Sequence, residues 1–327
     1  MKSPFGLVFR HIIRNFAASE ETFARNRAII HSMIDKAVSF HPKVSQGLSR
    51  VALKSCESLL VTPPQCETNR IILFCHGGAF CFSMINLYLP FIHDLATETR
   101  MRILMPDYRL APEHPHPAAL EDCMGAINWI KQESDIDGNP IIVGDSAGGN
   151  LALNLSQALG GCRGLDLLSP WLDLSQSSNV WNQECDDELV LPEAARRAAW
   201  LYINGNSDWS FGAENPDKRD RYDRKVFDPS VSPLFGSLSF LERTPLLVQV
   251  SGSERLFGDA KFLWERISGN VPIPANPNSM EKLSMRHENS TLSVYPNQPH
   301  VWQVVRRRSR ASQLAFSELV NFINDRA

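Results

Sequence analysis

Ser146 stands in Gly144-Asp145-Ser146-Ala147-Gly148-Gly149, directly after the apolar run Pro140-Ile141-Ile142-Val143 and directly before Asn150-Leu151-Ala152-Leu153. A short β-branched strand, then glycine–serine–glycine, then a helix is the layout of a tight turn that presents a serine as a nucleophile. Such a turn needs neighbours without bulky side chains. Gly144 and Gly148 meet that need, and Ala147 and Gly149 keep the helix entrance open. The helix start also directs backbone N–H groups at charge that develops beside the serine oxygen. The plainer alternative is a Gly/Ser turn with no chemistry.

A second segment suits the same chemistry. Ile71-Ile72-Leu73-Phe74-Cys75 reads as a buried strand and runs straight into His76-Gly77-Gly78-Ala79-Phe80. Glycines past a strand end let the chain turn with its N–H groups pointing inward, which a tetrahedral oxyanion requires. Gly78 and Ala79 are the expected donors, Gly77 shapes the turn, and Ala147, the residue after the serine, is the partner donor.

With Asp107-Tyr108-Arg109-Leu110-Ala111-Pro112-Glu113 and Pro117-Ala118-Ala119-Leu120-Glu121-Asp122, these segments make the chain similar, over roughly residues 70–327, to the hormone-sensitive-lipase-like family of α/β-hydrolase esterases. The resemblance implies an α/β fold: a mostly parallel central sheet, helices on both faces and a small helical cap. It also implies a serine, acid, histidine order along the chain. Ala79 departs from the family, which usually has a third glycine there. Because an oxyanion donor uses the backbone N–H, alanine is expected to be tolerated if its φ stays negative.

A serine hydroxyl needs a general base, and the base an orienting carboxylate. Two histidines follow Ser146: His300, in a loop past the last expected strand, and His287, between Arg286 and Glu288 in an irregular stretch. His300 is the expected base and His287 a surface residue. Glu254 falls just past the strand Pro245–Val250, at the functional edge of an open sheet, and is the expected acid. The family more often has aspartate here and a second acidic residue where this chain has Gly258. Asp259, inside the following helix, is the fallback. The Asp107–Glu113 segment is expected to form a buried polar network that fixes the glycine loop, and Trp171 to pack in the core or line the acyl pocket.

The elements that must position these residues alternate along the chain. Strands are expected at 71–75, 102–106, 140–144, 164–168, 246–251 and 290–295, and helices at 86–99, 117–132, 147–159, 256–267 and 303–326. Residues 50–61 are expected to add antiparallel edge strands, and a helix opened by Ser19 to run to about Phe40. The alanine-rich stretch 188–204 reads as a cap helix, 204–224 as an exposed loop, and 269–289 as an irregular insertion beside the active-site loops. The resulting division is an N-terminal cap segment, 1–49, and a catalytic domain, 50–327, with a cap insertion at about 175–225.

Bulk properties narrow the partners. With 33 basic and 36 acidic residues among 327, the formal charge is -3, so nothing points to nucleic acid. Seven cysteines, odd in number and without a C-x-x-C pair, read as reduced thiols, and no run reaches the roughly 18 apolar residues of a membrane span. A cytoplasmic enzyme is expected. Phe5, Val8, Phe9, Ile12, Ile13 and Phe16 share one helical face with no acid before Glu20. That helix reads as a cap element, with peripheral membrane contact or mitochondrial targeting as the alternatives. The expectation is therefore a serine carboxylic-ester hydrolase without cofactor or metal, acting through an acyl-enzyme on small-molecule esters of a hydrophobic alcohol with a short-to-medium acyl chain. An aryl-formamide amidase, an acetyl-sterol deacetylase and a ligand receptor on the same fold are the alternatives.

Overall fold

In the strand Ile71–Cys75 the residues Ile71, Leu73 and Cys75 pack on one side of the sheet and Ile72 and Phe74 on the other, all of them buried. A strand covered on both faces reads as a continuous apolar run, and that is how this one is written. The computed structural model describes residues 20–38, 47–66, 69–182, 190–205, 216–273, 282–305 and 307–326. The amphipathic stretch 1–16 lies outside them.

The chain runs through α1 (Glu20–Val38), β1 (Leu48–Ala52), β2 (Glu57–Val61), β3 (Ile71–Cys75), α2 (Ile85–Thr99), β4 (Arg102–Pro106), α3 (Ala118–Gln132), β5 (Ile141–Asp145), α4 (Ala147–Leu159) and β6 (Gly164–Leu168). It continues through α5 (Pro192–Asn204), α6 (Pro216–Lys225), β7 (Leu246–Ser251), α7 (Phe257–Ile267), β8 (Leu283–His287), β9 (Ser290–Tyr295), α8 (Trp302–Val305) and α9 (Arg310–Asn324). The strands form one nine-stranded sheet in the order β1-β2-β4-β3-β5-β6-β7-β9-β8. From β4 to β9 neighbours are parallel, while β1, β2 and β8 add antiparallel edges. One face is covered by α3, α4 and α7 and the other by α2 and α9, each through buried apolar residues. In α9 those residues are Ala315, Leu319, Phe322 and Ile323, one stripe of a 3.6-residue period.

After β3 the chain moves to β4 on one side, then crosses back to β5 on the other. The loops leaving β3 and β5 therefore diverge, which opens a crevice at the carboxyl ends of the two strands. The His76 and Ser146 segments both start there.

Three expectations are corrected. The stretch 269–289 is not irregular throughout: Leu283–His287 is an edge strand whose residues pair with Ser290–Val294. Its alternating half-buried and exposed residues carry too little apolar signal to stand out among prolines. Residues 274–281 lie outside the described set. The segment 204–224 is not all loop, because Pro216–Lys225 is a helix with an Asp220–Arg224 pair one turn apart. Among the described side chains of this charged helix only Tyr222 is buried, so an apolar period was missing from its sequence. The expected helix 303–326 is divided, since Ser309 accepts from the Ser312 N–H and starts α9 afresh.

Close backbone packing lies under Ser146. A Cβ on Gly148 would sit 2.0 Å from the Cys75 carbonyl oxygen and 2.6 Å from that of His76, so α4 touches the end of β3 with bare backbone. Neither wall is a flexible side chain. Gly148→Ala should therefore lower the unfolding free energy by at least the ~1–3 kcal/mol of ordinary overpacking, which reads out as a lower urea midpoint. An unchanged midpoint would mean that α4 can back away from β3 freely.

Candidate active site

Ser146 sits between β5 and α4 with φ 52° and ψ -122°. A side chain other than glycine holds such a conformation only under constraint, at a cost of about 1–3 kcal/mol. The constraint is visible: the Ser146 N–H donates to the Leu168 carbonyl (3.0 Å), and the Ser146 carbonyl accepts from Gly149 (3.0 Å) and Trp171 (3.0 Å). The turn is clamped from β6 and from the loop beyond it.

His300, in the loop after β9, places Nε2 3.0 Å from the Ser146 Oγ and Nδ1 2.7 Å from Glu254 Oε2. Glu254 follows β7 and is 1% exposed. Its other oxygen, Oε1, accepts from Ser169 Oγ (2.7 Å) and the Ser251 N–H (2.8 Å), so the carboxylate is held before it meets the imidazole. A carboxylate accepts only, so Nδ1 carries the proton and Nε2 offers its lone pair to the serine. The arrangement can take the serine proton and stabilise the imidazolium that results.

Asp259 does other work. Its Oδ2 accepts the N–H groups of Leu172 (2.7 Å) and Asp173 (2.9 Å), which anchors the loop after β6 to α7. Where the resembled family carries a second acid, a side chain on Gly258 would meet Ser178 Oγ at 2.2 Å, so Ser178 fills that space. His287 is far along β8, at the sheet edge.

The glycine loop is pinned at several points. Gly78 has φ 126°, and its carbonyl accepts from Cys81 (3.0 Å) and Phe82 (2.9 Å), closing a tight turn. That closure drives Ala79 to φ 53° and Phe80 to φ 60°. The condition set on Ala79, a negative φ, is therefore not met, and its methyl group is carried in the left-handed region at a cost of roughly 1–2 kcal/mol. Stacking of Phe80 on Tyr202 of α5, with centroids 3.8 Å apart, holds the turn from that helix. Among the described residues none accepts a hydrogen bond from the N–H of Gly78, Ala79 or Ala147. The Gly77 N–H is engaged: it reaches Asp145 Oδ1 at 2.8 Å, which leaves Gly77 a part in the turn alone.

Asp145, missed as a site residue in the sequence, bridges the two segments. It is fully buried and accepts the Tyr88 hydroxyl at 2.5 Å as well as Gly77. Burial pushes its carboxyl up to about 6, against the pull of Tyr88, Gly77 and His300. Its place beside the serine was the available signal. The expected 107–113 network is present in part. Tyr108 donates to the His76 carbonyl at 2.7 Å, Arg109 is locked to buried Asp122, and Glu113 pairs instead with Arg27 of α1.

Beside Ser146 and His300 lies a cavity of about 170 Å³. Ile30 of α1, Phe82, Met84, Trp171 and Ala194 and Ala195 of α5 give it apolar walls. Trp171 thus lines the site while only 3% exposed. Cys56, Cys75, Cys81, Cys123 and Cys162 are free thiols, and Cys185 lies outside the described residues. No helix among the described residues is long and apolar enough to cross a membrane.

The Asp145 carboxyl has a folded value of about 6, above the roughly 3.9 of an unfolded chain. Both states are protonated at low pH and the difference is nil; as pH rises, the unfolded state ionises first and the folded state falls behind. The wild type should therefore lose unfolding free energy relative to Asp145→Asn between about pH 4 and 6, with no further change above. Urea titrations across that range check it, and a pH-independent difference would be the contrary result.

Known proteins resemble this chain in sequence and in fold. The sequence pattern of the alpha/beta hydrolase fold family matches residues 72–272. An Acinetobacter venetianus protein named as an esterase is 34% identical over 62% of this chain and 62% of its own length. A carboxylesterase/phospholipase of Mycobacterium tuberculosis is 26% identical over 78% of this chain. The match again spans 62% of the relative's length. Among solved structures, an esterase from the bacterial hormone-sensitive lipase family shares the fold with a TM-score of 0.68 at 24% identity, covering 100% of this chain and 99% of that one. The chain belongs to the alpha/beta hydrolase fold family.

Proposed function

We propose that the chain is a serine carboxylic-ester hydrolase that works through an acyl-enzyme. The observation that carries this reading is the unbroken hydrogen-bond line from Ser146 Oγ through His300 to Glu254. Ser146 attacks the ester carbonyl as His300 takes its proton. The N–H groups of Gly78, Ala79 and Ala147 receive the oxyanion, and His300 returns the proton to the departing alcohol. Water, activated by the same imidazole, then releases the acid. Glu254 keeps the imidazole in the correct tautomer throughout.

In this reading α1 and α5 act as the cap, since Ile30, Ala194 and Ala195 close the apolar cavity over Ser146. Its 170 Å³ is below the ~300–1,000 Å³ of pockets that enclose drug-sized ligands. Esters with a short-to-medium acyl chain fit that size, and the relatives named as esterases support ester hydrolysis.

Ser146→Ala should abolish turnover of aryl esters in a folded protein. Glu254→Gln should reduce kcat by about 10⁴, by analogy with the same change in a serine-protease triad. Asp259→Asn should retain most activity, because one oxygen already accepts both backbone N–H groups and an amide oxygen can do the same. A larger loss in kcat from Asp259→Asn than from Glu254→Gln would overturn the assignment.

Across aryl esters from acetate to laurate, kcat/KM should peak at short-to-medium chains and fall towards laurate. A formamide and an acetyl-sterol belong in the same panel. Preferred turnover of either would move the chain to another reaction or alcohol class.

A further inference from the structure

The glycine loop presents three successive peptide groups, and each of their carbonyls is held. Tyr108 holds that of His76, and Cys81 and Phe82 hold that of Gly78. Between them, the Gly77 carbonyl lies 2.6 Å from Nδ1 of the His76 ring. A carbonyl only accepts, so Nδ1 carries the proton and donates. The ring itself is immobile: it is fully buried and stacks on Tyr108 with centroids 4.2 Å apart and planes 10° from parallel.

The Gly77–Gly78 peptide is trans, and in a trans peptide the C=O and N–H point in opposite directions. Holding the Gly77 carbonyl toward the imidazole therefore turns the Gly78 N–H the other way. Gly78 lines the cavity beside Ser146, and no described residue accepts from its N–H. A glycine pair has little torsional preference of its own, so without an external hold this peptide is free to rotate.

From this geometry we propose that His76 is a positioning residue: its Nδ1–H fixes the Gly77–Gly78 peptide so that the Gly78 N–H meets the oxyanion. The inference rests on the esterase reading above. Two features of the ring agree with it. Nε2 is buried with no hydrogen-bond partner among the described residues, an arrangement that costs stability and so needs a return elsewhere. Burial also holds the imidazole below its ordinary range, so the ring is neutral and its one proton sits at the atom that does the holding.

Three replacements separate hydrogen bonding from packing. His76→Asn puts an amide nitrogen where Nδ1 stands, His76→Gln carries it one bond further out, and His76→Phe keeps an aromatic ring against Tyr108 with no donor. If His76 positions Gly78, His76→Phe should lose kcat by roughly 10²–10³, the usual cost of one oxyanion donor, with KM within a few fold. His76→Asn should recover at least ~10-fold over Phe and over Gln, and inhibition by a trifluoromethyl ketone should weaken and recover in parallel, since that adduct carries the oxyanion.

A packing role would rank Phe highest and Asn lowest, and that order would overturn the proposal. So would equal activity of Asn and Gln, which also decides the matter should His76→Phe fail to fold. Ser146→Ala is run alongside. If it retains turnover, the esterase mechanism itself fails; if it is inactive while the His76 series is flat, only the positioning role fails.

Discussion

The site depends on how closely α4 approaches the end of β3. With no side chain on Gly148, the first turn of the helix lies directly against the Cys75 and His76 carbonyls. The Ser146 turn and the glycine loop are thereby brought together as backbone against backbone. Distances between donors on one segment and an oxygen on the other are then set by the main chain, which is stiffer than any side-chain contact. The left-handed φ of Ser146 is tolerated because the same packing leaves the turn nowhere else to go.

Around that contact the structure adds polar ties that are buried and, for the most part, fully satisfied. Asp145 joins β5 to the glycine loop and to α2 through Tyr88. Glu254 spends one oxygen on Ser169 and Ser251 and keeps the other for His300. Asp259 fastens the loop that carries Trp171, whose own N–H returns to the Ser146 carbonyl. Each buried carboxylate is costly to desolvate, and each offsets that cost by ordering a different part of the site. Preorganised donors are worth most where charge develops, because they need not rearrange when it does.

In the proposed reading α1 and α5 cap the site, and they follow a different logic. Their contacts include Phe23 against Phe82, Ile30 and the α5 alanines over the cavity, a partly solvated Arg27–Glu113 pair, and a backbone hydrogen bond from the His116 N–H to the Tyr202 carbonyl. In that reading the sheet and its loops hold the reacting groups, and α1 and α5 decide what lies beside them.

Several parts of this protein were legible in its residues alone. Apolar runs of five or six residues marked the parallel strands, because a strand buried on both faces has no polar side to show. Gly144, Gly148 and the His76–Gly78 run marked the turns, since only small residues fit there, and chain order pointed to Glu254 and His300. Elements whose stability comes from edge pairing or from charge pairs one turn apart, β8 and α6, carried too little periodic signal to be read. What only the tertiary structure decided was pairing in space. Glu254 and Asp259 are chemically alike and five residues apart, yet one faces an imidazole and the other two backbone N–H groups. The sign of φ at Ala79 and the bridging role of Asp145 were equally invisible. Such features arise where segments distant in sequence close on one another, and a linear pattern records which residues can meet but not which of their atoms do.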